Sequence, residues 1–238
     1  MKISIFGMGY VGCVGAACCA KLGHDVIGVD VSAHKVALIN AGRPTIIEKD
    51  IEELVRHARS AGHLEATSDA GYAVKHSEIS FIAVGTPSSR EGHLNLEYIY
   101  KVAAQIGEAL RDKEAFHIVA VRSTVLPGTN EKIGEIIEEK SGKQRNVAFT
   151  VVSNPEFLRE GTAVHDYLNP PLTLVGADHE MAVEKMRELY RDIPGEFIAT
   201  DIKVAEMMKY INNTYHALKI VFGNEVGNIC KALDVDSH

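Results

Sequence analysis

The sequence predicts an α/β fold: a doubly wound, mainly parallel sheet with helices on both faces, followed by one long connecting helix. Three observations predict it. A short apolar strand that begins at Lys2 runs straight into a Gly-x-Gly-x-x-Gly turn at Gly7, Gly9 and Gly12. Short apolar runs then alternate with amphipathic stretches as far as about residue 200, the mark of a parallel sheet with crossover helices. Finally, residues 203–233 read as a single helix of about 30 residues, roughly 45 Å long at 1.5 Å per residue.

Each glycine of the turn has its own physical reason. Gly7 permits a tight turn out of the strand, Gly9 lets bare backbone approach a pyrophosphate, and Gly12 lets the next helix sit close to the sheet. The pyrophosphate would lie on free N–H groups at the start of the helix predicted over residues 10–22, around Tyr10 and Val11. That helix leads through Gly23-His24 into a second apolar run, Asp25–Val29, which ends in Asp30. An acid there is where a Rossmann-like fold accepts hydrogen bonds from the adenosine ribose hydroxyls. A carboxylate favours NAD over NADP, because it repels a 2′-phosphate. The other reading of Asp30 is an N-cap for the following helix, for which Ser32 is the better residue.

Residues 32–40 then read as a helix closed by Gly42, and Pro44 opens an irregular connection to a second amphipathic helix over 49–60. Leu64–Thr67 is the third strand, 69–75 a brief helix, and 79–84 a strand apolar enough for burial on both faces. A helix over 94–110, a strand over 118–121, a helix over 129–140 and a strand over 148–152 follow. A last strand, helix and strand occupy 172–175, 180–191 and 197–199. The expected division is an NAD-binding domain over 1–200 and the start of a central helix over 201–238.

Ligands in such sheets bind in the crevice outside the carboxyl ends of the strands. The unusual polar signatures sit there: Gly85-Thr86-Pro87, Arg122-Ser123-Thr124 and the stretch from Asn154 through Pro155, Glu156, Phe157, Leu158, Arg159 and Glu160 to Gly161 each follow a strand directly. Singly, such residues are also ordinary turn chemistry; three such ends on one crevice point to a ligand. On the long helix, a wheel of about 100° per residue gathers Met207, Ile211, Leu218, Phe222 and Ile229 on one side and Lys209, Asn213, His216 and Asn224 on the other. Solvated faces are generally built from Lys, Glu and Arg. Amides and an imidazole around one lysine instead suit hydrogen bonding to a sugar or nucleotide.

Composition narrows the classes further. With 238 residues and 46% hydrophobic content there is ample material for a buried core. A net charge of -7 gives no general reason to bind nucleic acid or an anionic membrane, so an anionic ligand must be held by local N–H groups and a few bases. Cys13, Cys18 and Cys19 share one predicted helix and Cys230 lies far away, which makes no disulfide framework and fits no common zinc spacing. The expectation is a reducing compartment and no metal. The N-terminus imitates a signal peptide, but the glycine turn inside it is the better explanation. No apolar run reaches the roughly 18–20 residues of a membrane span, and the expected location is the cytoplasm.

Together, Gly7–Gly12, Gly85-Thr86-Pro87, Arg122-Ser123-Thr124-Val125-Leu126-Pro127-Gly128-Thr129, the segment 154–161 and Ala205-Glu206-Met207-Met208-Lys209-Tyr210 resemble the nucleotide-sugar 6-dehydrogenases, a family of NAD-dependent enzymes that act on UDP-glucose or GDP-mannose. The resemblance covers essentially the whole chain. Val125-Leu126-Pro127-Gly128, and His216-Ala217-Leu218-Lys219-Ile220 followed by Asn224-Glu225-Val226-Gly227-Asn228, are similar to the GDP-mannose branch; the UDP-glucose branch is the alternative. The resemblance implies oxidation of a C6 alcohol to a carboxylate with two NAD molecules, through an aldehyde captured by a cysteine thiolate and a thioester. It places Tyr10, Val11, Asp30, Lys35, Thr86 and Thr124 around NAD, and Glu160, Lys209, Asn213, His216 and Asn224 around the sugar nucleotide. Thr124, Glu156, Glu160, Lys209 and Asn213 become catalytic candidates, with Lys209 stabilising charge on the reacting oxygen and Glu160, with Glu156, orienting Thr124 and a water. The competing reading of Glu156 and Glu160, four residues apart, is a pair of exposed acids on a short helix.

The resemblance also implies a homodimer built around the long helix, and a nucleophilic cysteine in a Gly-Gly-Ser-Cys-Leu-Pro-Lys-Asp stretch beyond it. These 238 residues hold no such stretch. The expectation is therefore an N-terminal portion of such an enzyme, inactive by itself. A hydroxyacid dehydrogenase would share the glycine turn and a helical lysine but leave the segment 154–161 unexplained. A non-catalytic NAD-binding or dimerisation module is the reading from a different class.

Overall fold

In the computed structural model, which describes residues 1–88, 90 and 92–237, the first strand is buried from its second residue onward. This strand, β1 (Lys2–Phe6), has β2 (Asp25–Val29) on one side and β4 (Ile79–Ile82) on the other, both parallel to it. The chain runs out from β1 to β2 and β3 (Leu64–Thr67), then crosses to β4, β5 (His117–Val121) and β6 (Phe149–Ser153). Strands β4, β5 and β6 are buried along their whole length, which explains why their sequences are mainly apolar, with Ser80, His117, Thr150 and Ser153 as buried polar residues among them. Two more strands, β7 (Leu172–Gly176) and β8 (Glu196–Thr200), complete the eight-stranded order β3-β2-β1-β4-β5-β6-β7-β8. β7 is antiparallel to β6 and meets it at the single register pair Ser153↔Gly176, whereas β7 and β8 are parallel.

Helices cover both faces, as the alternating pattern requires. One layer consists of α1 (Tyr10–Lys21), α2 (Ala33–Asn40), α3 (Ile51–Ser60), α7 (Ala163–Leu168) and α8 (Glu180–Leu189), packed through Val14, Ile39, Val55, Val164 and Met186. The other consists of α4 (Ala70–Lys75), α5 (Glu97–Leu110) and α6 (Thr129–Ser141), packed through Val74, Ile106 and Ile137. The order of strands puts the topological switch between β1 and β4, so the crevice opens at their carboxyl ends.

The differences from the sequence reading are local and have identifiable causes. α5 starts at Glu97 rather than at residue 94, because Leu94 pairs with Ser88 in an isolated bridge and the Asn95 side chain accepts from the Glu97 N–H at 2.9 Å. α3 starts at Ile51, after Asp50 in the left-handed region at φ 64°. The six-residue α7 was not expected; it is too short to show a period. Asp166 within it is tied by Arg159, at 2.8 Å from Nη2, and by the Thr162 hydroxyl at 3.0 Å. Segment 154–161 is irregular, so Glu156 and Glu160 do not sit on a short helix.

The long helix, α9 (Ile202–Ala232, 31 residues), is amphipathic in an inverted sense. Its buried residues are Ile202, Ala205, Glu206 and Lys209, while Met207, Ile211, Leu218, Phe222 and Ile229 are all exposed, Phe222 by 68%. The polar side faces the domain and the apolar side faces away from it. The Glu206 carboxylate, 1% exposed, anchors the helix by accepting from the N–H groups of Gly128 at 2.7 Å and Asn130 at 2.9 Å, at the N-terminus of α6. No helix among the described residues is long and apolar enough to cross a membrane.

Candidate active site

The three glycines divide their work as the sequence implies. Gly7 leaves β1 at φ +96°, and a Cβ there would stand 2.9 Å from the Ala83 carbonyl oxygen and from Val84 Cγ1. At Gly12 a Cβ would stand 1.8 Å from the Gly7 carbonyl oxygen. At Gly9 it would meet nothing within 4 Å, so no contact within the described protein asks for glycine there. That open space is what a closely approaching ligand needs. Gly9 is also the N-cap of α1, with no side-chain cap, and the first turn of Tyr10, Val11 and Gly12 carries no acid. The positive end of α1 is thus left for an outside anion.

Asp30 sits at the end of β2, 9% exposed, with its carboxylate already well supplied with donors. Oδ2 accepts from Met8 N at 2.8 Å and Lys35 Nζ at 3.2 Å, and Oδ1 accepts from Ser32 N at 2.9 Å. Ser32 itself caps α2, accepting from Lys35 N at 3.5 Å. The two readings of this stretch therefore separate: Ser32 is the cap, and Asp30 ties the end of β2 to the glycine turn. Thr86 and Thr124, both half-buried, follow β4 and β5. Their loops are joined where the Ser123 hydroxyl donates to the Val84 carbonyl at 2.7 Å. The cofactor candidates gather at the carboxyl ends of β1, β2, β4 and β5, with Lys35 reaching back from α2 to Asp30.

The connection between α2 and α3 folds over the turn, a feature the sequence reading missed. The Thr45 hydroxyl donates to the Met8 carbonyl at 2.8 Å. Tyr10 Oη donates to Glu48, whose Oε2 also accepts from Gly161 N at 2.8 Å. Burial pushes the Tyr10 phenol up and the Glu48 carboxylate adds to it, whereas the same hydrogen bond holds Glu48 below the ordinary glutamate range. Start of α1 and end of segment 154–161 are thereby clasped together.

Beside this crevice lies a cleft of about 620 Å³ between segment 154–159, the ends of β5 and β7, and α9. Lys209 is its most sequestered cation, 5% exposed, with Nζ 3.1 Å from Glu156 Oε1 and 5.4 Å from the centre of the Phe157 ring. The other Glu156 oxygen accepts from Leu158 N at 2.6 Å, which fixes the carboxylate on the cleft wall. Asn213 and His216 line the cleft from α9, as do Asn212, Tyr215 and Lys219, which the helical wheel alone did not single out. Two substrate candidates stand elsewhere. Glu160 is exposed on the turn toward Tyr10, whose phenol feels its charge, and it does not line the cleft. Asn224 is exposed eight residues past His216, roughly 12 Å further along the helix at 1.5 Å per residue. Burial pushes the thiols of Cys13, Cys18 and Cys19 up, which suits packing rather than nucleophilic chemistry.

Sequence comparison speaks to the same two regions. Residues 1–194 match the NAD binding domain of the UDP-glucose/GDP-mannose dehydrogenase family, and residues 203–238 match the central domain of that family. The chain belongs to this family. Its glycine turn is therefore part of an NAD-binding domain, and the open backbone at Gly9, the uncapped start of α1 and the placement of Asp30 all fit that cofactor. GDP-mannose 6-dehydrogenase of Pseudomonas aeruginosa is 49% identical over 237 residues, covering 99% of this chain and 54% of the relative. A crystal structure of a ternary complex of GDP-mannose dehydrogenase from that organism superposes with a TM-score of 0.98, covering 100% of this chain and 55% of the other. A UDP-glucose dehydrogenase from Pyrobaculum islandicum superposes with a TM-score of 0.95 at 41% identity, covering 99% and 54%. The chain spans about half the length of the curated relatives it matches.

Proposed function

We propose that this chain supplies the cofactor side of an NAD-dependent nucleotide-sugar 6-dehydrogenase whose substrate is GDP-mannose, oxidised in a four-electron reaction to GDP-mannuronate. The observation that carries the reading is Lys209, a cation sequestered at 5% exposure in a cleft whose wall residues Arg122 and Tyr167 also face Val11 and Gly15 of α1. As an alcohol is oxidised, its oxygen gathers negative charge, and a positioned cation in a water-poor site stabilises that charge. The glycine turn and the start of α1 would hold NAD, which would supply the hydride acceptor. Glu156 fixes the ammonium in place, and Asn213 and His216 offer an amide and an imidazole to the sugar nucleotide. Asn224 extends that line of contacts along α9. Thr124, at the end of β5, is assigned to ordering water on the cofactor side, and Glu160, outside the cleft on the clasped turn beside Tyr10, to the cofactor side of the site. Greater identity to the GDP-mannose enzyme than to the UDP-glucose enzyme, 49% against 41%, supports the choice of sugar. The division into a cofactor domain over 1–200 and a central helix over 201–238, and a cytoplasmic location, belong to the same proposal.

Calorimetry tests it in two stages. NAD(H) is expected to bind at least tenfold more tightly than NADP(H), because the Asp30 carboxylate meets ribose hydroxyls well and a 2′-phosphate badly; tenfold corresponds to about 1.4 kcal/mol. Asp30→Ala should weaken NAD binding roughly tenfold and relax the preference. Equal or tighter binding of NADP(H) by the unaltered chain would remove Asp30 from this role. With NAD present, GDP-mannose should bind more tightly than UDP-glucose, and the reverse order would overturn the assignment of the sugar.

The inverted amphipathicity of α9 supports the homodimer implied by the resemblance. An apolar stripe with Phe222 exposed by 68% and Leu218 by 62% is a face without a partner inside this domain. A second copy packed along it would cover both stripes at once, because a two-fold interface uses the same patch twice. Sedimentation at high micromolar concentration should find a dimer, and Phe222→Asp should shift it to monomer. A monomer that Phe222→Asp leaves unchanged would sink the idea.

A further inference from the structure

The segment that carries Glu156 is held by a group of polar side chains, Asn154 and Tyr190 buried and Arg122 half-buried, to which the proposed chemistry gives no part. Asn154 follows β6 directly. Its backbone N–H donates to the Val121 carbonyl at 2.8 Å and its side-chain Nδ2 to the Leu174 carbonyl at 2.9 Å, so it bridges β5 and β7. Its Oδ1 accepts twice, from Arg122 Nη1 at 2.9 Å and from Tyr190 Oη at 2.6 Å. Arg122 Nη1 also donates to Tyr190 Oη at 3.0 Å, closing a three-membered ring of hydrogen bonds. The guanidinium lies 5.0 Å from the centre of the Tyr167 ring, and the Tyr167 hydroxyl is 3.0 Å from Cys19 Sγ on α1. Arg122 thus joins the end of β5 to the start of segment 154–161 and the C-cap residue of α8, and through Tyr167 to the helix of the NAD-binding turn.

The arrangement has a reason in the sheet. β6 and β7 are antiparallel and share one register pair, Ser153↔Gly176, so the ladder gives little support where the chain turns into the cleft. Both acceptors are served by one nitrogen, Nη1, whose two coplanar N–H bonds hold Asn154 Oδ1 and Tyr190 Oη relative to a guanidinium seated over the Tyr167 ring; a lysine ammonium, a mobile point charge, supplies neither that plane nor the ring contact. Two residues beyond Asn154, Glu156 reaches across to Lys209 at 3.1 Å.

We propose that Arg122, acting through Asn154 and Tyr190, is the positioning residue of the cleft: it fixes the turn at Pro155, and with it the Glu156–Lys209 pair, against the helix that carries the NAD-binding turn. The function of Lys209 rests on the reading given above, but its placement does not, and the two can be tested apart. The chain is labelled with ¹⁵N-lysine and the side-chain ammonium resonances are recorded without any ligand. Lys209 is identified by its loss in Lys209→Arg. Lys113, whose Nζ donates to the Val74 carbonyl at 2.6 Å on the opposite layer of the sheet, serves as the internal control.

Tyr190→Phe removes one hydroxyl from the ring and leaves the aromatic volume in place, so the variant should fold. Arg122→Lys keeps the charge and removes the planar Nη1 donor pair and the ring contact with Tyr167. Both should move or broaden the Lys209 ammonium resonance, Arg122→Lys more than Tyr190→Phe, while the Lys113 resonance stays where it is. NAD affinity should change less than about threefold in Tyr190→Phe, whereas nucleotide-sugar affinity should fall about tenfold or more. An unmoved Lys209 resonance in the folded Tyr190→Phe variant would overturn the positioning role. So would equal displacement of Lys209 and Lys113, which would mean general loosening. If the wild-type chain binds no nucleotide sugar while the Lys209 shifts occur as described, the functional reading fails and the positioning network stands.

Discussion

Alanine at Gly9 leaves the fold intact and removes the cofactor, whereas alanine at Gly12, three residues on, removes the fold. The expectation follows from what each new methyl meets. At Gly12 the Cβ would be driven to 1.8 Å from the Gly7 carbonyl oxygen and 2.9 Å from its carbon. Both atoms are backbone, locked between β1 and α1, and cannot turn aside as a flexible side chain would. Gly12→Ala is expected to cost more than about 3 kcal/mol, either unfolding the chain or lifting α1 off the sheet. At Gly9 the φ of -84° suits any residue and nothing lies within 4 Å of the added carbon, so stability should stay within about 0.5 kcal/mol of the parent. The methyl would nevertheless occupy the space into which the pyrophosphate must come to reach the N–H groups of Tyr10 and Val11. A loss of about 100-fold in NAD affinity, roughly 2.7 kcal/mol, is expected. Thermal melts and calorimetry on the two variants check both halves. Unchanged NAD affinity in Gly9→Ala would put the phosphates somewhere other than on the start of α1.

Glu206→Ala is expected to lower stability by about 2 kcal/mol and to loosen α9. The carboxylate, 1% exposed, satisfies two N–H groups at the start of α6, at 2.7 and 2.9 Å, and its charge complements the positive end of that helix. Removing it leaves one buried donor, Asn130 N–H, unpaired at a cost of about 1–3 kcal/mol, and a part-buried one, Gly128 N–H, at less, minus the desolvation of the carboxylate, which is recovered. For a chain of this size that is a fall in Tm of roughly 4–8 °C. The same desolvation raises the Glu206 carboxyl above its ordinary value. A raised folded value means that the contribution of this group is fully present below about pH 4.5 and declines as pH rises through the folded value. Glu206→Gln, which keeps one acceptor but turns an NH2 toward the second N–H, should fall between parent and Glu206→Ala at neutral pH and should flatten that part of the pH profile. A Glu206→Ala variant as stable as the parent, with its Lys209 ammonium resonance undisturbed, would show that α9 is anchored by other contacts.

The spacing of three between Glu206 and Lys209 puts both side chains on one side of α9, yet they have different partners. Glu206 caps a neighbouring helix, and Lys209 reaches a carboxylate in the cleft. The motif Ala205-Glu206-Met207-Met208-Lys209-Tyr210 could be recognised as a unit from sequence, but the division of labour inside it could not. Glu156 illustrates the same limit. Its residue type and the strand before it marked it as a site candidate. Its partner turned out to be an ammonium more than 50 residues away, and no local pattern fixes such a pairing.

What the sequence by itself determined here is whatever depends on period, on glycine and on strand ends. Short apolar runs bounded by turn residues pointed to strands buried on both faces, their alternation with helices to a mainly parallel sheet, and that sheet puts the glycine turn, Asp30, Thr86 and Thr124 on one crevice. Three glycines at fixed spacing even foretold which would be cramped and which open, because the tight turn and the close helix are steric demands of a few adjacent residues. Tertiary structure alone decided everything that rests on contact between distant segments. It turned the polar side of α9 inward and left the apolar side out, since hydrophobic periodicity gives a helix two faces and does not say which one the domain takes. It separated Glu160 and Asn224 from the cleft that holds Lys209, Asn213 and His216. It also brought Arg122, Asn154 and Tyr190 into one ring of hydrogen bonds, for a buried polar side chain is satisfied by whichever donor or acceptor folding carries to it, and sequence distance places no limit on where that partner comes from.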